Sequence, residues 1–568
     1  MSRPSSNDSS NNPGMTFSSG RNDAVWTALQ PYDSWPKFSK LPEDIETEVI
    51  VVGAGMAGIS TAYELVSRGI KTVLIDAREV TSGETGRTSG HLSDFLGSRW
   101  KSIIQEHGVE NAKLLYESHR YAIERVGEIS KKHGIECEYE ELPGWVMVQV
   151  PSSSSDYNEK NDLTGEPDAF KTMGYEDRVR YDEKEELGPY SGAVLKIEGQ
   201  AKFHPTKYLH GLLNELVKNH SDIFSCYTNT RMRSYKTHSG KIEVETEGEL
   251  PPDPKPMSSA KGHSIHASHL VMASNIPLNA ADMILKCHTY RTYCIASTIP
   301  AASAPPYLLY NNSDPYIYVR TAAHPDPSKR YLLIGGEDHK TGILSKEDYS
   351  AKFSKLVNWG KQFFPDMLDS PDFAWSGQVV EAADNVAYIG RDSTLGNNIW
   401  ISTGDCGNGL THAVIASKIL SDEITGVHNP WAKLYSPSRK PSPRSIPEVI
   451  SENVEQVSKY ARAITVDIRD IEELPVCSGG VLHSGLKKLG KPVAAYKDEN
   501  GDVRTFSAIC PHAGGIVAWN AVEKSWDCPV HGSRFDGLTG KCVFGPSNRG
   551  LTAEDENAEV AIESSASG

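Results

Sequence analysis

The stretch EVIVVGAGMAG at residues 48–58 leaves little freedom to the fold around it. Its apolar, β-branched opening reads as a buried strand. Gly53, Gly55 and Gly58 then form G-x-G-x-x-G, and ISTAYELVSRG continues as a helix with one apolar face and Gly69 as its stop. KTVLIDA is a second strand, ending at Asp76. The first glycine makes the turn, the second lets a pyrophosphate reach the backbone, and the third lets helix and strand pack closely. The helix start at Met56 and Ala57 offers unpaired N–H groups and a positive dipole end to phosphate. Asp76 stands eighteen residues after Gly58, where a carboxylate accepts ribose hydroxyls, with Ala77 and Arg78 beside it. Strand, glycine turn, helix and acid in this order predict a βαβ unit that binds a dinucleotide.

A chain of 568 residues is too long for one core, so two or three domains are expected. With 58 Lys and Arg against 74 Asp and Glu, the net charge of −16 argues against nucleic acid or an anionic membrane as partner. No run of 18 apolar residues occurs, so no membrane span is expected. The start, MSRPSSNDSSNNPG, is polar and lacks a signal-peptide core, and residues 1–45 read as a disordered or extended tail. Nine cysteines, sparse and odd in number, fit a reducing, cytoplasmic location better than a disulfide scaffold.

Helical patterns fill residues 101–133. β-like segments follow at YEELPGWVMVQV, FSCYTNTRMRSY and KIEVETEG, and HASHLVMAS reads as one further strand. YRTYCIASTIP, PYIYVRTA and RYLLIGGE are strand-like, and EDYSAKFSKLVNWGKQFF is a helix. NNIWISTGDCGNGLTHAVIASKILSDEITG repeats strand, glycine loop and helix. The Pro/Ser-rich SPSRKPSPRSIPE at 436–448 reads as an exposed linker, and VISENVEQVSKYARAI as one helix. From about residue 465 short strands and turns dominate, with DENG as a hairpin turn.

Near the end, CPHAGGIVAWNAVEKSWDCPVH sets Cys510, His512, Cys528 and His531 in the spacing C-x-H-x15-C-x2-H. Zinc fingers pair Cys with Cys and His with His, whereas each loop here supplies one of each. The set resembles the Rieske [2Fe–2S] domain, which implies two Cys on one iron and two His on the other. HGSRFDGLTGKCVFGP extends the resemblance over about residues 465–550. Many such domains carry a disulfide between the two loops; its positions here hold Gly515 and Val530. Ser533 is present to bond a cluster sulfur, but the tyrosine often found two positions later is Phe535. A potential below that of respiratory Rieske proteins is therefore expected, within roughly −150 to +300 mV.

TSGETGRTSGHLS at 81–93 and STGDCGNGLTHA at 402–413 complete a second resemblance, over about residues 46–436. It is to the FAD-dependent amine and amino-acid oxidoreductases, the D-amino-acid oxidase or glycine oxidase superfamily. This resemblance implies Gly404, Gly407, Asn408, Gly409, Leu410 and Thr411 against the flavin and its ribityl chain. It also puts Gly86, Arg87, Thr88, Met232, Ala273 and Ser274 near the cofactor. Some members attach FAD to a His or Cys in the segment after the second strand; Arg87 falls near that place, so non-covalent FAD is expected. No second G-x-G-x-x-G with an acid partner occurs, so reducing equivalents are expected from an organic substrate.

The expected chain is multidomain: an α/β FAD-binding domain (Rossmann-like, glutathione-reductase type), an interleaved α+β substrate domain, and a small all-β Rieske domain. The FAD-binding parts fall at about 46–100, 200–280 and 376–436, and the substrate parts at about 101–199 and 281–375. A linker and helix take 437–464, and the Rieske domain 465–568, with a loose C-terminal tail. Together the resemblances imply a hydride moved from a small amine or amino acid onto flavin. Single electrons would then pass through the cluster to, or from, an unidentified partner. Arg320 in PYIYVRTA is the expected fork for a substrate carboxylate, with Tyr318 on the same face; the alternative is an arginine paired with an acid. His339 and His204 are further pocket candidates, though a lone histidine is more often structural, and Cys406 is expected to pack. His263, His266 and His269 are not expected to hold a mononuclear iron, because strand residues three apart face opposite sides. Two alternatives remain: a tailoring oxidoreductase for a larger secondary metabolite, and a non-catalytic redox-sensing electron carrier.

Overall fold

Alternation along two adjacent strands builds the centre of the molecule. Val49, Val51 and Leu74 face a layer of helices, whereas Ile50, Val52, Val73 and Ile75 face a small second sheet. The computed structural model that shows this describes residues 18–553, apart from 152, 156, 158–160, 249–260, 279–280, 344–348, 448, 452–466, 469 and 484–490. Strands Val49–Val52 and Thr72–Ile75 are parallel, flanked in parallel by His269–Met272 and Phe224–Tyr227. Ile399–Thr403 extends the sheet in parallel, and Tyr388–Arg391 closes it antiparallel. A parallel sheet needs both faces covered. Helices Met56–Val66 and Gly409–Ile424 pack together over one face. The sheet of Ile45–Glu46, Lys261–Ala267, Lys241–Glu247 and Met232–His238 covers the other.

A larger mixed sheet runs in the order Phe373–Ala382, Cys287–Pro300, Lys329–Lys340, Ile317–Ala323, Leu308–Asn311, Glu140–Met147, Tyr190–Lys202 and His91–Leu92. Helix Ser350–Phe363 packs on its face through Leu356. The C-terminal unit is built of strands: a three-stranded sheet (478–507) and a four-stranded one (518–544) around Trp526 and Phe535. The α/β opening, the α+β middle and the all-β end agree with the expected architecture.

Four expectations are corrected. Residues 18–45 are no tail: Trp26 is fully buried with Cys294, Leu333 and Trp375, and Trp35 lies 5.2 Å from the His210 ring. The polar average of the N-terminus concealed these few large apolar side chains. HASHLVMAS is two strands that part at Ser268, so His263 and His266 lie in the small sheet and His269 in the parallel one. Helix Val109–His133, expected with the substrate part, packs against Gly409–Ile424 of the nucleotide part. The Pro/Ser segment is pinned: Arg439 donates to both Asp384 oxygens at 2.6 and 2.8 Å and lies 3.7 Å over the Tyr388 ring. Most of the helix expected at 449–464, and the tails 1–17 and 554–568, lie outside the described residues. No helix among the described residues is long and apolar enough to cross a membrane.

Candidate functional site

A cavity of about 800 Å³ opens at the C-terminal ends of the parallel strands. Its floor is the first glycine turn. Gly53 has φ +108°, and a Cβ there would lie 2.5 Å from the Ala273 carbonyl. A Cβ on Gly58 would lie 1.7 Å from the Gly53 carbonyl, so this helix can start so close to the strand only with glycine. Asp76 accepts the Ala54 N–H at 2.7 Å and the Arg78 N–H at 2.8 Å, one on each oxygen. Each oxygen keeps a lone pair for a ribose hydroxyl. Gly53, Gly55, Met56, Ala57, Asp76, Ala77, Arg78, Met232, Ala273 and Ser274 line the cavity. From the far side come Gly407, Asn408, Gly409 and Leu410, at the start of the last long helix. The donor set fits a dinucleotide, and the buried Arg78 Nε, with no partner among the described residues, awaits an anion.

Several residues expected at the cofactor lie behind this lining. A Cβ on Gly86 would meet the Thr81 carbonyl at 2.5 Å, and Gly404 (φ +70°) backs onto Ala382, Cys287 and Tyr388. The Thr411 hydroxyl donates to the Ser93 carbonyl at 3.4 Å. Arg87 and Thr88 line the cavity, as does Cys406, whose sulfur accepts the Ala382 N–H at 3.3 Å.

In the C-terminal unit, Cys510 and Cys528 are buried, and the Nδ1 atoms of His512 and His531 face each other at 3.2 Å. Each loop turns on a left-handed glycine, Gly514 (φ +75°) and Gly532 (φ +70°), whose N–H bonds the carbonyl of Cys510 or Cys528. Among the described residues no three His, Cys, Asp or Glu side chains converge on one point. The four side chains form a sulfur pair and an imidazole pair, the kind of donor set that a two-iron cluster would take. A Cβ on Gly515 would lie 2.5 Å from the Val530 side chain, so the positions where related domains carry a disulfide do face each other.

Residues 48–423 match the family described as DAO, FAD dependent oxidoreductase, and residues 467–554 match the Rieske [2Fe-2S] domain. The chain belongs to the FAD-dependent oxidoreductase family. Its C-terminal unit is a Rieske domain, and its cofactors are FAD and a [2Fe–2S] cluster. A Bacillus subtilis (strain 168) protein named as the Rieske 2Fe-2S iron-sulfur protein YhfW is 28% identical over 523 residues, 92% of this chain and 96% of its own length. Gamma-glutamylputrescine oxidoreductase of Escherichia coli (strain K12) is 22% identical over 405 residues, 69% of this chain and 87% of that one. The crystal structure of glycine oxidase from Geobacillus kaustophilus shares the fold, with TM-score 0.53 and 15% identity over 70% of this chain and 99% of that one.

The Rieske domain is seated on the FAD-dependent oxidoreductase domain along three seams. The first centres on Glu523, which is wholly buried. Its carboxylate accepts from Arg87 at 3.0 Å, Arg291 at 3.2 Å, the Ser376 hydroxyl, and the Arg21 N–H at 2.7 Å, with Arg534 at 3.9 Å. Burial alone would raise Glu523; the Arg87, Arg291 and Arg534 guanidiniums and the Ser376 hydroxyl outweigh it and hold the group at about 2. Arg87, at the place where some relatives tether flavin, here ties down the cluster domain. In the second seam Gln378, on the cavity wall, donates Nε2–H to the Gly532 carbonyl at 2.9 Å. Beside it Thr289, Val380 and Thr403 meet Val530 and His531, and Thr403 also lines the large cavity. In the third, Arg78 and Arg231 donate to the carbonyls of Val543 and Cys542, and Asn548 to that of Arg233, each at 2.7 Å.

At the substrate end the structure departs from the expected residues. Arg320 is 1% exposed and off the lining; it donates to the Thr321 carbonyl at 3.1 Å, the Phe203 carbonyl at 2.9 Å and the Gly90 carbonyl. Period two did place Tyr318 and Arg320 on one face, but Trp26 covers the Arg320 end, 5.3 Å from its guanidinium. Arg320 is a structural cross-link. His204 caps helix Pro205–Asn219, accepting the Lys207 N–H at 3.4 Å, and His339 lies between the Tyr293 and Tyr349 rings. Neither lines the cavity. Tyr318 does, its hydroxyl 3.2 Å from that of Thr292.

Among the charged residues on that lining that sequence reasoning missed are Arg99 and Asp338. Arg99 is 5% exposed, at φ +66°, with its guanidinium 4.7 Å over Phe95. Among the described residues its side chain makes one long hydrogen bond, 3.4 Å to the Leu96 carbonyl, and its Nε has no partner. Burial lowers it to about 10, against the pull of Glu166 and Tyr316, so it stays charged at neutral pH. Asp338 Oδ1 is likewise without a partner among the described residues. Burial pushes this carboxyl up to about 7, against the Thr292 hydroxyl and Lys352. No motif marks either residue; only the fold brings them to one cavity.

Proposed function

We propose that this enzyme takes a hydride from a small amine or amino acid onto FAD and relays single electrons through its Rieske cluster to a partner. The observation that carries the relay is the second seam: the loop bearing His531 is docked on the cavity wall, with Gln378 spanning the two. When bound, FAD supplies two-electron acceptance beside nitrogen, and the cluster one-electron exchange. The chain supplies orientation. Arg99 offers a planar fork to a carboxylate, and a buried guanidinium whose one hydrogen bond among the described residues is 3.4 Å long favours an anionic ligand. Asp338 Oδ1 is suited to take the proton of a substrate ammonium, leaving the neutral amine that hydride loss requires. Tyr316 and Tyr318 line the same region. A large apolar substrate would leave Arg99 and Asp338 buried and unmatched, and a pure electron carrier needs no such pocket. The relatives named for gamma-glutamylputrescine and for glycine are consistent with an amine substrate.

The test is anaerobic addition of an amine and amino-acid panel to the holoenzyme. Flavin absorbance should bleach, followed by the EPR signal of a reduced Rieske cluster. Bleaching without that signal defeats the relay, and no bleaching across the panel defeats the substrate class.

A further inference from the structure

We propose that the Rieske domain is part of the FAD site: residues Cys542–Asn548 wall the adenosine end of the cavity, so FAD binding and domain docking are one linked equilibrium. This stands on FAD binding alone and needs neither the substrate nor the relay. Cys542, Val543, Phe544, Gly545, Ser547 and Asn548 all line the cavity. They face the end marked by Asp76, because Arg78, two residues on, holds the Val543 carbonyl, and Arg231, next to the lining residue Met232, holds that of Cys542. Arg78 thus divides its guanidinium: Nη1 is committed to Rieske backbone, while the buried Nε has no partner among the described residues and is left for an anionic phosphate. Phe544 seals the wall against Ile276 and Val380.

The segment is also braced to the cluster loops. Gly545 has φ +103° and a Cβ there would lie 2.5 Å from the Ser533 Cα, and the Ser547 N–H donates to the Ser533 hydroxyl at 3.3 Å. A wall fixed to one domain and a floor fixed to the other make a composite site. A ligand that binds the docked form better must favour docking by the same factor that docking favours the ligand.

The experiment uses the full-length, cluster-loaded protein from which FAD has been removed, and titrates FAD by flavin fluorescence quenching. Asn548→Ala and Phe544→Ala should each weaken FAD by about tenfold, within the usual span of such couplings, with the Rieske EPR spectrum unchanged. Leu538→Ala, exposed on the same domain, should leave affinity at the wild-type value. In the wild-type chain, amide hydrogen exchange of 542–548 should slow when FAD binds. Unchanged affinity in both cavity variants, or equal exchange of 542–548 with and without FAD, overturns the proposal. The exchange measurement decides the matter even if a variant does not fold.

Discussion

Two charged regions of this molecule, each built on at least one buried group, are oppositely finished. Around Glu523 the carboxylate is saturated, with two guanidiniums, a hydroxyl and a backbone N–H on its two oxygens. Around Arg99 and Asp338 the fold leaves a cation with one long bond and a carboxylate oxygen with no partner among the described residues. The first arrangement joins domains, where an unmatched charge would only cost stability. The second lines a cavity, where a bound molecule can complete it. Burial alone therefore does not separate structural from functional charge; saturation does.

The largest effect should come from breaking the saturated region. Glu523→Ala leaves Arg87, Arg291 and Arg534 facing one another without the shared anion, at a cost of about 3–5 kcal/mol. Denaturant unfolding of the full chain, followed by the visible bands of the cluster, measures it. Because Glu523 is held down to about 2, its contribution is complete above the ordinary glutamate range and is lost as pH falls from about 4.3 toward 2. The seam should accordingly persist at pH 5. A loss below 1 kcal/mol in Glu523→Ala would mean that this knot does not hold the domains.

The next effect comes from the unsaturated region, and it should fall on binding instead of stability. Arg99→Met removes charge-assisted hydrogen bonds worth about 1.5–3 kcal/mol, so KM for a carboxylate-bearing substrate should rise by roughly ten- to a hundredfold. Arg320→Met should do the reverse, lowering the melting temperature with KM unchanged, since its bonds go to backbone carbonyls. Steady-state kinetics and thermal melts of the two variants, taken together, test the distinction. If both variants lose stability and neither changes KM, the contrast between the regions is wrong.

The same contrast explains what the sequence made legible. Gly53, Gly55, Gly58 and Asp76 are readable because spacing within one βαβ unit encodes their task, and Cys510, His512, Cys528 and His531 because two short loops carry theirs. Arg320 and Arg99 are not readable in that way. Periodicity assigns Arg320 a face but cannot say that Trp26, from a segment whose average composition is polar, will cover it. Arg99 is an isolated arginine before a helix, and only its meeting with Tyr316 and Asp338 in one cavity gives it meaning. Glu523 reads as an ordinary turn glutamate until strands from the other domain bring Arg291 and Ser376 to it. Ser268 hides a change of sheet inside one apolar stretch.

A smaller effect separates the two residues of the unsaturated region. Burial raises Asp338 to about 7, so at pH 6 it is mostly protonated and at pH 8 mostly ionised. Affinity for a cationic substrate should therefore climb with pH through about 7, by up to about tenfold, before the amine itself titrates. Asp338→Asn should flatten that rise while leaving the dependence on a substrate carboxylate to Arg99. A pH profile of Kd for a substrate-like amine gives the answer, and an unchanged slope in the variant would remove Asp338 from amine recognition.

The smallest effect carries the comparison into the Rieske domain, where Ser533 and Phe535 are both buried and only one has an oxygen. The Ser533 hydroxyl already accepts the Ser547 N–H at 3.3 Å, which leaves its own hydrogen to donate to a cluster sulfur. Phe535 packs in the same core as Trp526, Cys510 and Cys528 and gives the cluster nothing to bond. Donors to the sulfurs stabilise added negative charge, so the wild-type potential should lie below that of Rieske domains with tyrosine here. Phe535→Tyr places a hydroxyl where the sulfur is its natural partner, and the potential should rise by tens of millivolts. A redox titration followed by EPR reads both values. A wild-type potential already near the top of the range, at roughly +300 mV, would show that this cluster is tuned by something other than the donors around it.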